Sequence, residues 1–465
     1  MHIANSVKEE KTMENSKLKR VVAMALSAVM IFCLFVTANP SSLIAASAAA
    51  ERDSSTTDEA LEILSDAKWL GYKEKQLKNP NYYRGEPVVI NSGNVTSLGD
   101  AQIVEYDGKQ NVVFMSDKDS VTWTITVPES GLYAMDILYN YLGSDDTRAK
   151  AADIERTLRI NDKVPYTELR NLVFTKKWID KMDKYELANG ETLDSLDEAK
   201  LIDKGLTLPV AVYENGNIVK IFYEKDGADN ERRPVKVLEP QWTEYTLCDP
   251  TGNYNGEFFI YFDKGENTIT LEAQKEYMYV DTITLRPCET LISYQEYLNY
   301  HNGLGHKDAT TSVRLEAEYF TATSSRTIYG QNDRSSAITS PQHPSYSWIN
   351  DVGGRNGSYN WASVGQWIEW EFTVPETGYY TISTRFLQDA VEGLFVSRRL
   401  YINGEVPFEE ANNLQFLYDD SWQGAKLGDG DEEFKFAFEK GKTTLSSSKL
   451  TMVISVKSLQ SSVIA

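Results

Sequence analysis

The feature that most constrains this chain is a phrase it contains twice. Ser120 to Tyr133 reads SVTWTITVPESGLY, and Gly365 to Tyr380 reads GQWIEWEFTVPETGYY, with Trp370 standing where Trp123 stood. In the later copy Ile368, Trp370, Phe372 and Val374 alternate with Trp367, Glu369, Glu371 and Thr373; in the earlier one Val121, Trp123, Ile125 and Val127 alternate with Thr122, Thr124 and Thr126. A period of two over four pairs belongs to a half-buried strand and not to a helix. Each run ends in Pro-Glu-x-Gly, Pro128 to Gly131 and Pro375 to Gly378. Proline presets φ there and glycine tolerates φ above zero, as in a tight turn. A second alternating run follows: Tyr133, Met135 and Ile137 in one copy, Tyr380, Ile382, Thr384 and Phe386 in the other. Each copy therefore encodes a β-hairpin.

The copies match beyond the hairpin. RTLRINDKVPYTELRNLVF from Arg156 to Phe174 corresponds to RRLYINGEVPFEEANNLQF from Arg398 to Phe416, and FFIYFDKGENT corresponds to FKFAFEKGKTT. Three collinear blocks mark a duplicated unit. The spacing between blocks is 66 residues longer in the first copy, which places an insertion between Phe174 and Phe258, near 175–240. Its ENGN and KDGADN turns and its many Lys and Asp read as an exposed excursion with a little structure of its own. Short alternating strands joined by turns, repeated twice over, predict an all-β chain of two antiparallel β-sandwiches; a propeller or solenoid needs more copies at a shorter period. Helix is expected only at the edges. TTDEALEILSDAKWL, with Leu61 and Leu64 on one face, forms a lead-in over 51–78, and SYQEYLNYH, with Ser293 and Glu296 in capping-box spacing, forms the connector over 291–311. The sandwiches then occupy 79–290 and 312–465.

The first fifty residues differ from the rest. Lys17, Lys19 and Arg20 precede an apolar run from Val21 to Val36, and LIAASAAA ends at Ala50. Basic start, short apolar core and small-residue exit are the order of a secretory signal peptide, and a permanent membrane span needs about 20 apolar residues. The expected protein is secreted, with no stable membrane insertion after cleavage. A formal net charge of −21 argues against nucleic acid or an anionic membrane as partner, since both require neutralising cations. Beyond the leader the cysteines are Cys248 and Cys288, which a secreted chain allows to pair. The four histidines, His2, His301, His306 and His343, give little material for a zinc site or a Ser-His-Asp triad, and no Gly-x-Ser-x-Gly, phosphate loop or HExxH is present. The expectation is a non-catalytic protein.

The second unit opens with VRLEAEYF, continues through NDVGGRNGSYNWASVGQWIEWEFTVPETGYYTISTRF, and then RRLYING. This order resembles the carbohydrate-binding modules of the galactose-binding-like jelly-roll fold. The tandem, with the WTEYTL and KGENTITLEAQKEYMYVDTITL ending of its first unit, is similar to the N-terminal half of large extracellular solute-binding proteins serving ABC-type sugar importers of Gram-positive bacteria. The resemblance implies jelly-roll sandwiches, an oligo- or polysaccharide ligand at the cell surface and an ABC permease as partner. It also puts a sugar-stacking aromatic at Trp361, beside Tyr359 and Asn360 in a Gly-rich loop; Trp348, in another loop, and Trp422, in the loop after Phe416, are further aromatic candidates by their own placement. Glu316 and Glu318, on one face of the opening strand, stand where the resembling modules bind a structural calcium, although the closing-strand Asp281 of the first unit has no counterpart in the second. In the first unit Phe114 occupies the position of Trp361, leaving Trp178 and Trp242 as its aromatic candidates. The second copy ends KGKTTLSSSKLTMVISVKSLQSSVIA without the closing strands of the first, so truncation relative to a longer importer component is an expectation. The alternatives are an adhesive surface module that binds protein, and the accessory region of a glycoside hydrolase.

Overall fold

The computed structural model describes residues 68–449 and 458–464, except 255, 335–340, 342, 356, 357, 391 and 431. The leader at 1–50 and the helix expected around Leu61 and Leu64 lie outside the described residues. In the first repeat, one sheet runs in the order Thr243–Thr246, Gly131–Asn140, Met278–Arg286, Lys109–Met115, Gln102–Tyr106, with Val88–Asn91 and Phe259–Phe262 completing seven strands. The other has Ser120–Val127, Gly265–Lys275, Ile154–Ile160 and Leu172–Phe174. Val121, Trp123, Ile125 and Val127 point between the sheets into a core closed by Tyr133, Met135, Ile137 and Phe258. In the second repeat Ile368, Trp370, Phe372 and Val374 do the same, against Tyr380, Ile382, Phe386 and Phe436. Their cores are separate clusters, so the chain forms two antiparallel β-sandwiches of the jelly-roll type.

The duplication extends to single hydrogen bonds. Trp123 Nε1 donates to Ser92 O at 2.7 Å, and Trp370 Nε1 to Ala317 O at 2.9 Å. Tyr133 and Tyr380 hydroxyls each donate to the glutamate carbonyl four residues back, at 2.7 Å in both. Asn161 and Asn403, at φ 51° and 52°, accept on Oδ1 from Thr268 N and Thr444 N at 2.8 and 3.0 Å. Such bonds to buried indole and phenol groups recur because an unmet polar atom in either core costs about 1–3 kcal/mol.

The Pro-Glu-x-Gly glycines are needed for a reason the sequence does not state. Neither Gly131 nor Gly378 has a positive φ. Instead the chain entering each sandwich crosses directly over the glycine: a Cβ on Gly131 would lie 2.9 Å from Asn81 O, and one on Gly378 2.6 Å from Lys307 O. Leu132 N donates to Asn81 O at 2.7 Å and Tyr379 N to Lys307 O at 2.8 Å, which fixes that close approach.

Both repeats also open with a helix. Tyr294–Gly303 carries the expected capping box of Ser293 and Glu296, and its Tyr294 and Tyr297 are buried in the second core. Ala437 N donates to Tyr297 Oη at 2.8 Å, and Tyr294 N to Glu410 Oε2 at 2.8 Å. The helix Trp69–Leu77 does the same in the first repeat, where Tyr261 N donates to Tyr72 Oη and Trp69 N to Glu168 Oε2, both at 2.8 Å. The connecting helix is thus also the first element of the second repeat.

The insertion is not an exposed excursion. Its strands Trp178–Asp180 and Lys236–Leu238 pair with each other, and Trp178 pairs with Thr323, so they extend the second repeat's sheet of Ala322–Thr323, Trp367–Val374, Gly441–Lys449, Phe395–Ile402 and Leu414–Leu417. A three-stranded sheet of Asp183–Glu186, Val210–Glu214 and Asn217–Phe222 covers its own short helix with Val210, Val212 and Phe222 packed around Leu201. Its other face, Ala211, Ile218, Ile221 and Tyr223, packs on Ile349 and Tyr319 of the second sandwich. Thr373 N donates to Asn217 Oδ1 at 2.9 Å, and Trp367 Nε1 to Thr175 Oγ1 at 3.3 Å. A strand buried on both faces reads as a continuous apolar run, here LPVAVY, and so lacks the alternation that marks a half-buried strand.

Candidate functional site

The Gly-rich loop sends consecutive side chains in different directions. The short hairpin Gly354–Arg355 with Ser358–Tyr359 delivers Tyr359, half-buried, to the surface. Asn360, 8% exposed, is held by its backbone N–H to Gly353 O at 3.0 Å and by Nδ2 to Tyr329 O at 2.9 Å. Its Oδ1 is buried with no hydrogen-bond partner among the described residues.

Trp361 corrects the expectation of a loop aromatic open to a sugar. It is fully buried in the second core, with Nε1 donating to Gln366 O at 3.0 Å and the Arg398 guanidinium 4.0 Å from its ring centroid. Neither face is open to a ligand. The opposing core needs a large ring at this place because Arg398, itself 1% exposed, is buried behind it, as Arg156 is buried in the first repeat.

Tyr359 and Asn360 line an open concavity of about 410 Å³, together with Arg326, Thr327, Tyr329, Ala362, Ser363 and Gln366. The turn that forms its floor is closed by Ser363 N donating to Gln366 Oε1 at 2.9 Å, while Gln366 Nε2 reaches Thr327 Oγ1 at 3.4 Å. Two tyrosine rings, neutral amides and hydroxyls and the Arg326 guanidinium make up the wall, and none of these eight side chains is a carboxylate, thiol or imidazole. Trp348 and Trp422 do not line it. Trp348 is half-buried, 5.0 Å from the His343 ring, and Trp422 is half-buried with Arg385 at 5.4 Å. The segment Arg326 to Tyr329 escaped the sequence reading because RTIY carries no motif and meets the Asn360 loop only through folding.

Glu316 and Glu318 lie in a turn, closed by Tyr319 N donating to Glu316 O at 3.0 Å, and not on one face of a strand. Glu316 is half-buried and paired with Arg314 at 2.9 Å. Glu318 is 2% exposed, and both its carboxylate oxygens lack a partner among the described residues. Burial, with Glu316 and Asp351 nearby, pushes its pKa well above the usual carboxylate range. Among the described residues no three His, Cys, Asp or Glu side chains converge as a metal site. In the first repeat the closing-strand Asp281 accepts Lys109 Nζ at 2.7 Å, so an ammonium already neutralises it.

The first repeat's aromatic candidates are differently placed: Trp178 is buried at 5% exposure, while Trp242 is half-buried beside Tyr106 under Lys109. Phe114 is half-buried on the outer face of its sheet, stacked on Tyr279. Cys248 and Cys288 are both free. Cys288 Sγ contacts Leu132 O at 3.8 Å, and burial pushes its pKa to about 12 and that of Cys248 upward, which disfavours the thiolate in both.

No family model matches the chain, and no curated protein does. Among solved structures the chain is similar to a Paenibacillus sp. cycloisomaltooligosaccharide glucanotransferase complexed with cycloisomaltoheptaose, at 20% identity over 37% of this chain and 23% of that one, with a TM-score of 0.24. It is similar to a family 35 carbohydrate binding module from Clostridium thermocellum, at 15% identity over 33% of this chain and 98% of that one, with a TM-score of 0.23. A CBM35 from Paenibacillus barcinonensis gives 17%, 33%, 98% and 0.22 for the same quantities. The chain spans about a quarter of the glucanotransferase's length, and each module overlaps about a third of this chain.

Proposed function

We propose that this is a non-catalytic carbohydrate-binding protein whose second sandwich takes a saccharide in the concavity at Tyr359 and Asn360. The observation that carries the reading is an open cavity of about 410 Å³ lined by the rings of Tyr329 and Tyr359 and by the amides and hydroxyls of Asn360, Gln366, Thr327 and Ser363. A sugar presents apolar C–H faces to rings and a rim of hydroxyls to amides and hydroxyls, which is the chemistry this wall offers. Glycan-array binding of the full chain should identify a ligand, and Asn360→Ala or Tyr359→Ala should weaken it at least tenfold, about 1.4 kcal/mol. Absence of any glycan binding by the unaltered protein would favour the adhesive, protein-binding alternative.

The charge order of residues 1–50 supports secretion, and the tandem order of the sequence supports placing the protein as the glycan-engaging part of an importer component at a cell surface, where an ABC permease would be its partner. The accessory region of a glycoside hydrolase is the remaining setting.

A structural calcium belongs to the same proposal. Glu318 offers two buried, unpartnered carboxylate oxygens, the hard donors calcium requires, and Glu316 is the second carboxylate that would hold the ion. When bound, it would neutralise charge that burial otherwise opposes. Millimolar calcium is expected to raise the thermal midpoint, by about 2.7 kcal/mol of stability at a concentration 100-fold above Kd. The increase should be smaller at pH 5 than at pH 8, because Glu318 with its raised pKa must lose a proton before it can ligate. Glu318→Gln should abolish the calcium response; an unaltered protein indifferent to calcium at pH 8 would remove the ion.

A further inference from the structure

The first repeat's insertion returns past the second repeat's concavity. Its segment at Asn230 and Glu231 is pinned to the loop at Ser347 to Ile349: Ser347 N donates to Asn230 Oδ1 at 2.8 Å, Glu231 N to Ser347 O at 2.9 Å, and Ile349 N to Glu231 Oε2 at 2.7 Å. Two residues further on, the guanidinium of Arg233 lies 3.9 Å from the ring centroid of Tyr329, which is part of the concavity wall. Arg233 is exposed, and among the described residues it has no hydrogen bond or ion pair. Arg326 on the wall is likewise exposed. One guanidinium, Arg326, thus lines a cavity whose lining holds no carboxylate, and a second, Arg233, lies against one of its wall rings, in a chain of net charge −21.

We propose that Arg233 is a ligand-binding residue, so that the saccharide site is composite: Tyr329, Tyr359 and Asn360 come from the second sandwich, and a guanidinium is delivered to its rim by the first repeat. This rests on the reading of the concavity as a saccharide site. A guanidinium laid face-down on an aromatic ring keeps its in-plane N–H fork free, and that fork matches a pair of oxygens, either two vicinal hydroxyls or the carboxylate of an acidic sugar. Stacking on Tyr329 and the two anchors at Asn230 and Glu231 hold the group in place before the ligand arrives, which reduces the ordering cost of binding. The second sandwich supplies the Arg326 guanidinium; the insertion adds that of Arg233 against Tyr329, and the contacts that dock the insertion are what bring it into register.

The test uses the full chain, with Arg233→Ala, Arg233→Lys and Tyr359→Ala variants, against a panel of neutral oligosaccharides and uronic-acid-bearing counterparts. For any panel member the unaltered protein binds, Arg233→Ala should weaken binding tenfold or more with an unchanged thermal midpoint. Lysine should fail to restore it, because a point charge lacks the fork and the stacked plane. Loss confined to the uronic-acid members assigns the carboxylate, and equal loss on neutral members assigns vicinal hydroxyls. Arg233→Ala binding as tightly as the unaltered protein, while Tyr359→Ala loses binding, overturns the composite site and leaves the concavity reading intact; no binding of any panel member by the unaltered protein overturns both.

Discussion

Trp361→Ala is expected to unfold the second sandwich at markedly lower denaturant, losing about 3–5 kcal/mol, the range for removing a large aromatic ring from a core. The ring is fully buried and carries the Arg398 guanidinium at 4.0 Å. Arg398 Nε and Nη2 have no hydrogen-bond partner among the described residues, and burial lowers its pKa to about 9. Removing the ring therefore opens a cavity and also takes away a main contact of a buried cation. Trp361→Phe, which keeps a ring face under the guanidinium, should recover most of the stability. Urea unfolding and glycan affinity measured together separate the roles. If Trp361→Ala kept the unaltered midpoint and lost ligand, the ring would be a sugar platform after all and the buried assignment would be wrong.

Asp180→Ala should be similarly costly. Asp180 Oδ1 and Lys236 Nζ lie 3.0 Å apart with side chains 13% and 8% exposed. Burial pushes the aspartate pKa up and the lysine pKa down, and the attraction of each group for the other opposes both shifts. Lys236 also lies 4.2 Å from the Phe320 ring centroid. Taking away one partner of such a pair typically costs about 3–5 kcal/mol because a buried charge is left alone, whereas replacing both with apolar residues is often neutral. Denaturant midpoints should fall for Asp180→Ala and return toward the starting value in the Asp180→Leu, Lys236→Met double variant. Because these strands join the insertion to the second sheet, protease sensitivity of residues 181–235 should rise in the single variant. An unchanged midpoint and protease pattern would show that the pair does not hold the insertion.

The hairpins and the two cores were legible because each rests on an alternation that adjacent residues spell out, and the duplication reinforced it. The capping box of Ser293 and Glu296 was legible for the same reason: its two hydrogen bonds close over three residues. Of the loop candidates, Tyr359 and Asn360 line the concavity. Trp361, the next residue, was misplaced because a Gly-rich composition indicates a loop without indicating which of its side chains turns inward. The insertion was misread because its central strand is covered on both sides, once by its own helix and once by the other repeat, and polar turns dominate its composition.

Residue order alone determined that this chain would be all-β, duplicated and joined between its repeats by a capped helix, since those properties follow from contacts a few residues apart or from internal comparison. Tertiary structure alone decided that Trp361 carries Arg398, that Glu318 is buried without a partner, and that Arg233 of one repeat reaches Tyr329 of the other. The reason is range: alternation and capping are written between neighbours, while the burial of a given face depends on which distant segment folds over it.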